Sequence, residues 1–184
     1  MIAALAGRRV DAPNAATPRF PAAQIERVET AIRSRLAADD VTALVCAAAC
    51  GADLLALAAA AELGIRRRIV LPFSVERFRE SSVVDRPGPY PWGGHYDRFV
   101  REAESGGDLV LLDLDPHDPH VYEKANLGIL DQAARLAGEC SDESEALVVW
   151  DERSRGPGDV TEHFAREARL RMPVAAIHIL DALP

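Results

Sequence analysis

Residues 42–72 read TALVCAAACGADLLALAAAAELGIRRRIVLP, and the order of signals in this stretch decides the fold. An apolar run of strand length at 42–48 stops in small residues. Gly51-Ala52-Asp53 then opens an Ala/Leu helix through Leu63, and Gly64 stands where a C-cap glycine belongs. A further apolar run at 68–71 is closed by Pro72. Strand, helix and strand make a βαβ unit. Strands that are apolar throughout, rather than alternating, belong to a parallel sheet covered on both faces.

The same grammar extends in both directions. Residues 2–6 form an apolar run ended by Gly7. A proline-bearing loop follows, and then Ile25, Val28, Ile32 and Leu36 recur at steps of three and four on a helix over 22–38. Downstream, strands are expected at 108–114, 146–150 and 173–180. Helices are expected at 74–82 behind Ser74, at 96–104, at 122–137 up to Gly138, and at 159–171 behind Asp159. The proline- and glycine-rich residues 85–94 read as an irregular excursion. The expectation is one Rossmann-like, three-layer α/β/α domain over 1–184, with a mostly parallel sheet of about six strands.

Composition bounds the function. The chain has 184 residues, 48% of them hydrophobic, which suffices for a core without disulfides or metal. A net charge of −8 disfavours general nucleic-acid binding, although local donors can still hold a small phosphate-bearing ligand. Cys46, Cys50 and Cys140, an odd set without redox spacing, fit a reducing compartment. The chain shows no secretory leader pattern and no apolar stretch approaching the roughly 20 residues of a membrane span. A cytoplasmic protein that does not engage membranes is expected.

In an open parallel sheet the ligand lies beyond the carboxyl ends of the strands, near helix N-termini. Four connections qualify. At the first, Gly7 allows close approach, Arg8 and Arg9 can hold a phosphate, and Asp11 follows; a solvated basic turn explains either arginine equally well. At the second, Cys50, Gly51 and Ala52 keep a helix start open, while Asp53 either accepts from ribose hydroxyls or merely complements the helix dipole. The third contains Asp113, Asp115, His117, Asp118 and His120, whose spacing matches no metal motif, with Asn126 on the helix beyond; no metal or other cofactor is expected. The fourth runs from Trp150 and Asp151 through Gly156, Gly158 and Asp159 to Glu162, where Trp150 or Asp151 can line a base or ribose pocket. Tyr90, Trp92 and Tyr96 offer further rings for stacking on a base.

These pieces, in this order, resemble the SLOG superfamily, which includes LOG phosphoribohydrolases, DprA-like proteins and sensor domains for nucleotide signals. The likeness rests on Gly51-Ala52-Asp53-Leu54, Leu63-Gly64-Ile65, Val70-Leu71-Pro72, the run 145–151, the Gly156-Pro157-Gly158-Asp159 turn and the opening 5–11. It implies binding or sensing of a nucleotide, ADP-ribose or NAD-related ligand, in a bacterial signalling or defence setting. A fused or neighbouring effector protein and a homodimer are also implied. For pairing, the Ala-rich helix is a candidate surface, unless its small residues serve close packing on the sheet. If Asp159 takes the family's threonine position, Glu162 falls on the catalytic glutamate, and Lys124 is the nearest match to its arginine. The alternatives are therefore an N-glycosidic hydrolase of LOG type, with Glu162 and Lys124 as its catalytic groups, and a protein-interaction domain with a vestigial pocket. The family's glycine-glycine-threonine core is absent here, and lysine lacks the arginine fork.

Overall fold

The computed structural model describes residues 1–86, 88 and 90–179. Six strands form one sheet: β1 (Ile2–Gly7), β2 (Ala43–Cys46), β3 (Arg66–Leu71), β4 (Leu109–Leu111), β5 (Ser144–Trp150) and β6 (Val174–His178). Every pairing is parallel, in the order β4-β3-β2-β1-β5-β6. The helices are α1 (Ile25–Ala38), α2 (Ala52–Glu62), α3 (Val75–Ser82), α4 (Trp92–Ser105), α5 (Val121–Cys140) and α6 (Val160–Arg169). This is a three-layer α/β fold of Rossmann-like type, with a sheet that is wholly parallel.

Side-chain alternation along the strands divides the core in two. Ala3 and Leu5 of β1, Leu44 and Cys46 of β2, and Leu147 and Val149 of β5 face α1 to α4. Their neighbours Ile2, Ala4, Val45, Ala146 and Val148 face α5 and α6, against Ile129, Leu130, Phe164 and Ala165. The helices change face because the chain reverses direction. It steps outward from β1 to β4, then returns to the far side of β1 for β5 and β6. Right-handed crossovers in opposite directions must lie on opposite faces. The reversal leaves a crevice between the carboxyl ends of β1 and β5, the topological switch point.

The Ala/Leu helix α2 is buried along residues 52–60. It packs on the sheet between α1 and α4, so its small residues serve that packing and present no free surface for a second copy.

Of the boundaries that differ from the sequence reading, three have a local physical cause. Helix α4 begins at Trp92 rather than Tyr96, taking Gly93 and Gly94 into its first turn. Trp92, Tyr96, Phe99, Val100 and Ala103 make a stripe that buries against the core, and this outweighs glycine's poor propensity. Helix α5 runs through Gly138 to Cys140, where Ser141 adopts the left-handed cap and the Asp142 amide bonds the Ala137 carbonyl at 2.9 Å. Strand β4 shrinks to three residues because Asp113, at φ 51°, turns the chain away. Pro87 and Pro89 of the expected excursion, and Leu180 of the expected sixth strand, lie outside the described residues. Among the described residues, no helix is long and apolar enough to cross a membrane.

Candidate functional site

A cleft of about 420 Å³ opens at the switch point. Its floor is the end of β1 (Ala6, Gly7) and the small residues after β2 (Ala47, Ala49). One wall is the carboxyl end of α3, with Phe78, Ser81 and Ser82, joined by Arg86. The opposite wall combines the first turns of α5 (Tyr122, Ala125, Asn126, Ile129) with the approach to α6 (Arg155 and residues 157–161).

Arg8 and Arg9 follow β1 and send their side chains to different sides. The Arg8 guanidinium is buried and fully engaged. Its Nη1 donates to Asp159 at 2.6 Å, its Nε to Asp151 at 3.2 Å and its Nη2 to the Arg153 carbonyl at 2.6 Å. It also lies 5.7 Å from the ring centre of Trp150. Arg19, from the loop before α1, donates to the other Asp151 oxygen at 2.6 Å. Burial pushes the Asp151 and Asp159 carboxyls up, but the hydrogen bonds from Arg19 and Arg8 outweigh it, and both sit below the usual aspartate range. Arg8 is thus a buried tie between β1 and α6. Although it borders the cleft, its charge is already matched.

Asp159 is the N-cap of α6, accepting from the amides of Thr161 and Glu162 at 3.0 and 3.2 Å and from Arg155 N at 2.8 Å. Gly156 and Gly158 take positive φ, 88° and 82°, which lets the turn double back into this cap. Gly158 borders the cleft; Gly156 does not. The helix start that was expected to hold a phosphate therefore gives two of its amides to a carboxylate.

The start of α2 is closed differently. Residues 8–10 pair antiparallel with 50–52: Ala52 N donates to the Arg8 carbonyl at 3.1 Å, and Val10 N to the Cys50 carbonyl at 3.3 Å. Gly51 has φ 111°, and a Cβ there would meet Val10 N at 2.6 Å and the Arg8 carbonyl at 2.7 Å. Backbone thus covers Cys50, Gly51 and Ala52, and none of the three borders the cleft. Asp53 does, with only 7% of its surface exposed. Burial pushes its carboxyl up to about 7, against the Ala49 amide bond and the Arg9 charge, which pull it down.

Cationic groups reach the cleft from side chains. Arg155 borders it with a guanidinium that is nearly unpaired among the described residues: Asp11 stands 4.0 Å away, and the Asp159 charge also acts on it. Burial and the Arg8 charge push its guanidinium below the usual arginine range. Across the cleft, Arg9 pairs with Asp85 and reaches the Cys50 sulfur at 3.4 Å, while Arg86 donates to the Val10 carbonyl at 2.6 Å. Between the walls, the hydroxyls of Ser81, Ser82 and Tyr122 stand 3.2–3.4 Å apart. Asn126 Nδ2 donates to the Val160 carbonyl at 2.7 Å, fixing α5 to α6.

Of the residues expected from sequence, Gly7, Arg8, Arg9, Asp53, Asn126, Gly158 and Asp159 come together at the cleft. Asp11 instead braces its own loop, accepting from the amides of Arg19 and Phe20 at 2.8 and 2.7 Å. Trp150 is buried against α5 and α6 rather than open to a base, and Asp151 lies beneath Arg8. Glu162 lies outside the cleft lining and accepts from Ser154; Lys124, also outside it, pairs with Asp118 at 2.5 Å. Trp92 and Tyr96 are core residues, and Tyr90 packs 4.2 Å from Trp92, centre to centre. His120 pairs with Glu123, and among the described residues no group of three or more His, Cys, Asp or Glu is placed to hold a metal.

The sequence reading missed Phe78, Ser81, Ser82, Arg86, Tyr122 and Arg155. Arg155 had a signal, since it lies in the glycine turn after a strand. Arg86 lies in the loop after α3, the others sit on unremarkable amphipathic helices, and only the meeting of the ends of α3 and α5 beyond the sheet, through Ser81, Ser82 and Tyr122, brings them to the switch point. Compared with protein-family models, curated proteins and solved structures, the chain matches none.

Proposed function

We propose that the cleft binds a nucleotide-derived ligand such as a nucleoside monophosphate, ADP-ribose or an NAD relative. The observation that carries this reading is the nearly unpaired Arg155 guanidinium, which shares the cleft with the apolar side chains of Phe78, Pro72 and Ile129. An anion on Arg155 and a flat ring between those side chains are the two halves of such a ligand. Support comes from guanidinium groups rather than from the amides at the starts of α2 and α6, which are already bonded. The resemblance to the SLOG superfamily points the same way. On this reading the protein is a sensor that passes occupancy to a fused or neighbouring effector, as in bacterial signalling or defence systems. Binding is favoured over N-glycosidic cleavage because Glu162, the residue the cleavage needs, bonds Ser154 outside the cleft.

A thermal-shift panel of AMP, ADP-ribose and NAD tests this. Ligand at a hundred times its Kd should stabilise the protein by about 2.7 kcal/mol. Arg155→Ala should weaken binding about tenfold, the 1.4 kcal/mol scale of one charge-assisted contact, while leaving the unliganded melting temperature in place. No shift with any of the three ligands overturns the proposal. Release of free base from AMP or NAD, lost in Glu162→Gln, moves the assignment to a hydrolase.

A further inference from the structure

We infer that Asp53 reads an uncharged hydrogen-bond donor on the ligand, a sugar hydroxyl or a base amino group, at the floor of the cleft; this rests on the binding reading above.

Asp53 is more than nine-tenths buried and borders the cleft. Its Oδ2 accepts from Ala49 N at 3.2 Å, whereas its Oδ1 takes no hydrogen bond from any described residue. That oxygen is open to the cleft, the side from which a donor can arrive, in an otherwise buried residue. Above about pH 7, where the Asp53 carboxyl is ionised, the incoming group must be a donor. An ionised phosphate would meet the Asp53 carboxylate as a like charge, and the adjacent helix amide at Ala52 is already bonded to the Arg8 carbonyl at 3.1 Å; the Arg9 charge that acts on this corner is itself paired with Asp85. Arg155 and Arg86 lie on the walls of the cleft, and neither pairs with Asp53 among the described residues. The cleft is therefore polarised: the charged end of the ligand belongs at the guanidinium groups, and a neutral hydroxyl or amino group at Asp53. Side chains at the floor beside it are Ala6, Ala47 and Ala49, none of which can accept a hydrogen bond, so Asp53 is the acceptor that discriminates there.

The test is isothermal titration of AMP, 2′-deoxy-AMP, 3′-deoxy-AMP and IMP into the wild-type chain, Asp53→Asn and Asp53→Ala. Wild type should lose about tenfold to hundredfold in Kd for the analogue lacking the donor, the range of a hydrogen bond to a charged group. Loss with a deoxy analogue assigns the sugar, and loss with IMP the base amine. In Asp53→Ala the discrimination should fall below threefold. In Asp53→Asn the side-chain oxygen can keep the Ala49 amide and turn an NH2 to the cleft, so the preference should disappear or reverse. Far-UV circular dichroism of both variants guards against misfolding as the cause. Wild-type affinities within twofold for all four nucleotides, or undiminished discrimination in Asp53→Ala, overturn this inference alone. Absence of any nucleotide binding to wild type overturns the binding reading and this one with it.

Discussion

The two glycine turns at Gly51 and Gly158 have the same sequence form, a buried strand running through a glycine into a helix, yet they end differently. Both glycines have positive φ, 111° and 82°. At Gly51 the chain is roofed by the backbone of residues 8–10, while at Gly158 nothing stands within 4 Å of where a Cβ would be. The start of α2 is thus spent on main-chain hydrogen bonds, and that of α6 on the Asp159 side chain. A strand–glycine–helix junction attracts an anion only through amides left unbonded. Here the junctions serve as struts, and arginine side chains carry the positive charge to the cleft.

None of the expected effects exceeds that on the strut at α6. Arg8→Ala would leave buried Asp159 with its cap amides but no cation and Asp151 with Arg19 alone, and urea unfolding should show a loss of about 3 kcal/mol, the low end for breaking a buried ion pair. A loss below about 1 kcal/mol would mean that the pair is solvated. The next contrast is between the glycines themselves. Gly51→Ala should lose about 3 kcal/mol, since a left-handed penalty of about 1–2 kcal/mol adds to overpacking of about 1–3. Gly158→Ala should lose only the former. Equal losses would erase the distinction between a roofed turn and an open one.

Asp159→Asn sharpens the comparison further. Asparagine can still cap α6, but the charge facing Arg8 is gone. About 1–2 kcal/mol of stability should be lost, the net scale of a charge-assisted hydrogen bond. AMP should bind more tightly, because Arg8 gains an unmatched charge beside the cleft. Weaker AMP binding would show that the Asp159 carboxylate is not opposing the anion.

A further contrast, in pH dependence, concerns Asp53 on the α2 side. Its folded pKa, about 7, lies above the unfolded value, so the native state holds a proton that the unfolded chain releases. Stability from this group is present below about pH 4 and is lost as pH rises to about 7, with no further change above. Relative to wild type, Asp53→Asn should therefore gain stability across that window and hold a constant difference at higher pH. Parallel stability profiles for the two proteins would contradict the raised value.

Much of the fold was legible because its signals are local. Ile25, Val28, Ile32 and Leu36 are all on the buried face of α1, and the apolar runs at 2–6 and 146–150 are the central strands. Misplaced boundaries, such as the start of α4 at Trp92, arose where a tertiary contact overrode a glycine. At the site, Arg9, Asp53, Asn126 and Gly158 were found because they follow strands or helix starts. Ser81, Ser82 and Tyr122 were not, because their meeting depends on where the ends of α3 and α5 come together beyond the sheet rather than on any spacing along the chain.

The amino-acid order by itself determined a parallel, helix-covered sheet, since hydrophobic periodicity and turn chemistry act within a dozen residues. Only the tertiary structure decided which polar groups stay free at the switch point. The Arg9–Gly51 pairing, the Arg8–Asp159 bond and the Oδ1 of Asp53 left without a partner depend on contacts across tens of residues. Hydrogen-bonding capacity is finite, and its allocation is settled when distant segments meet.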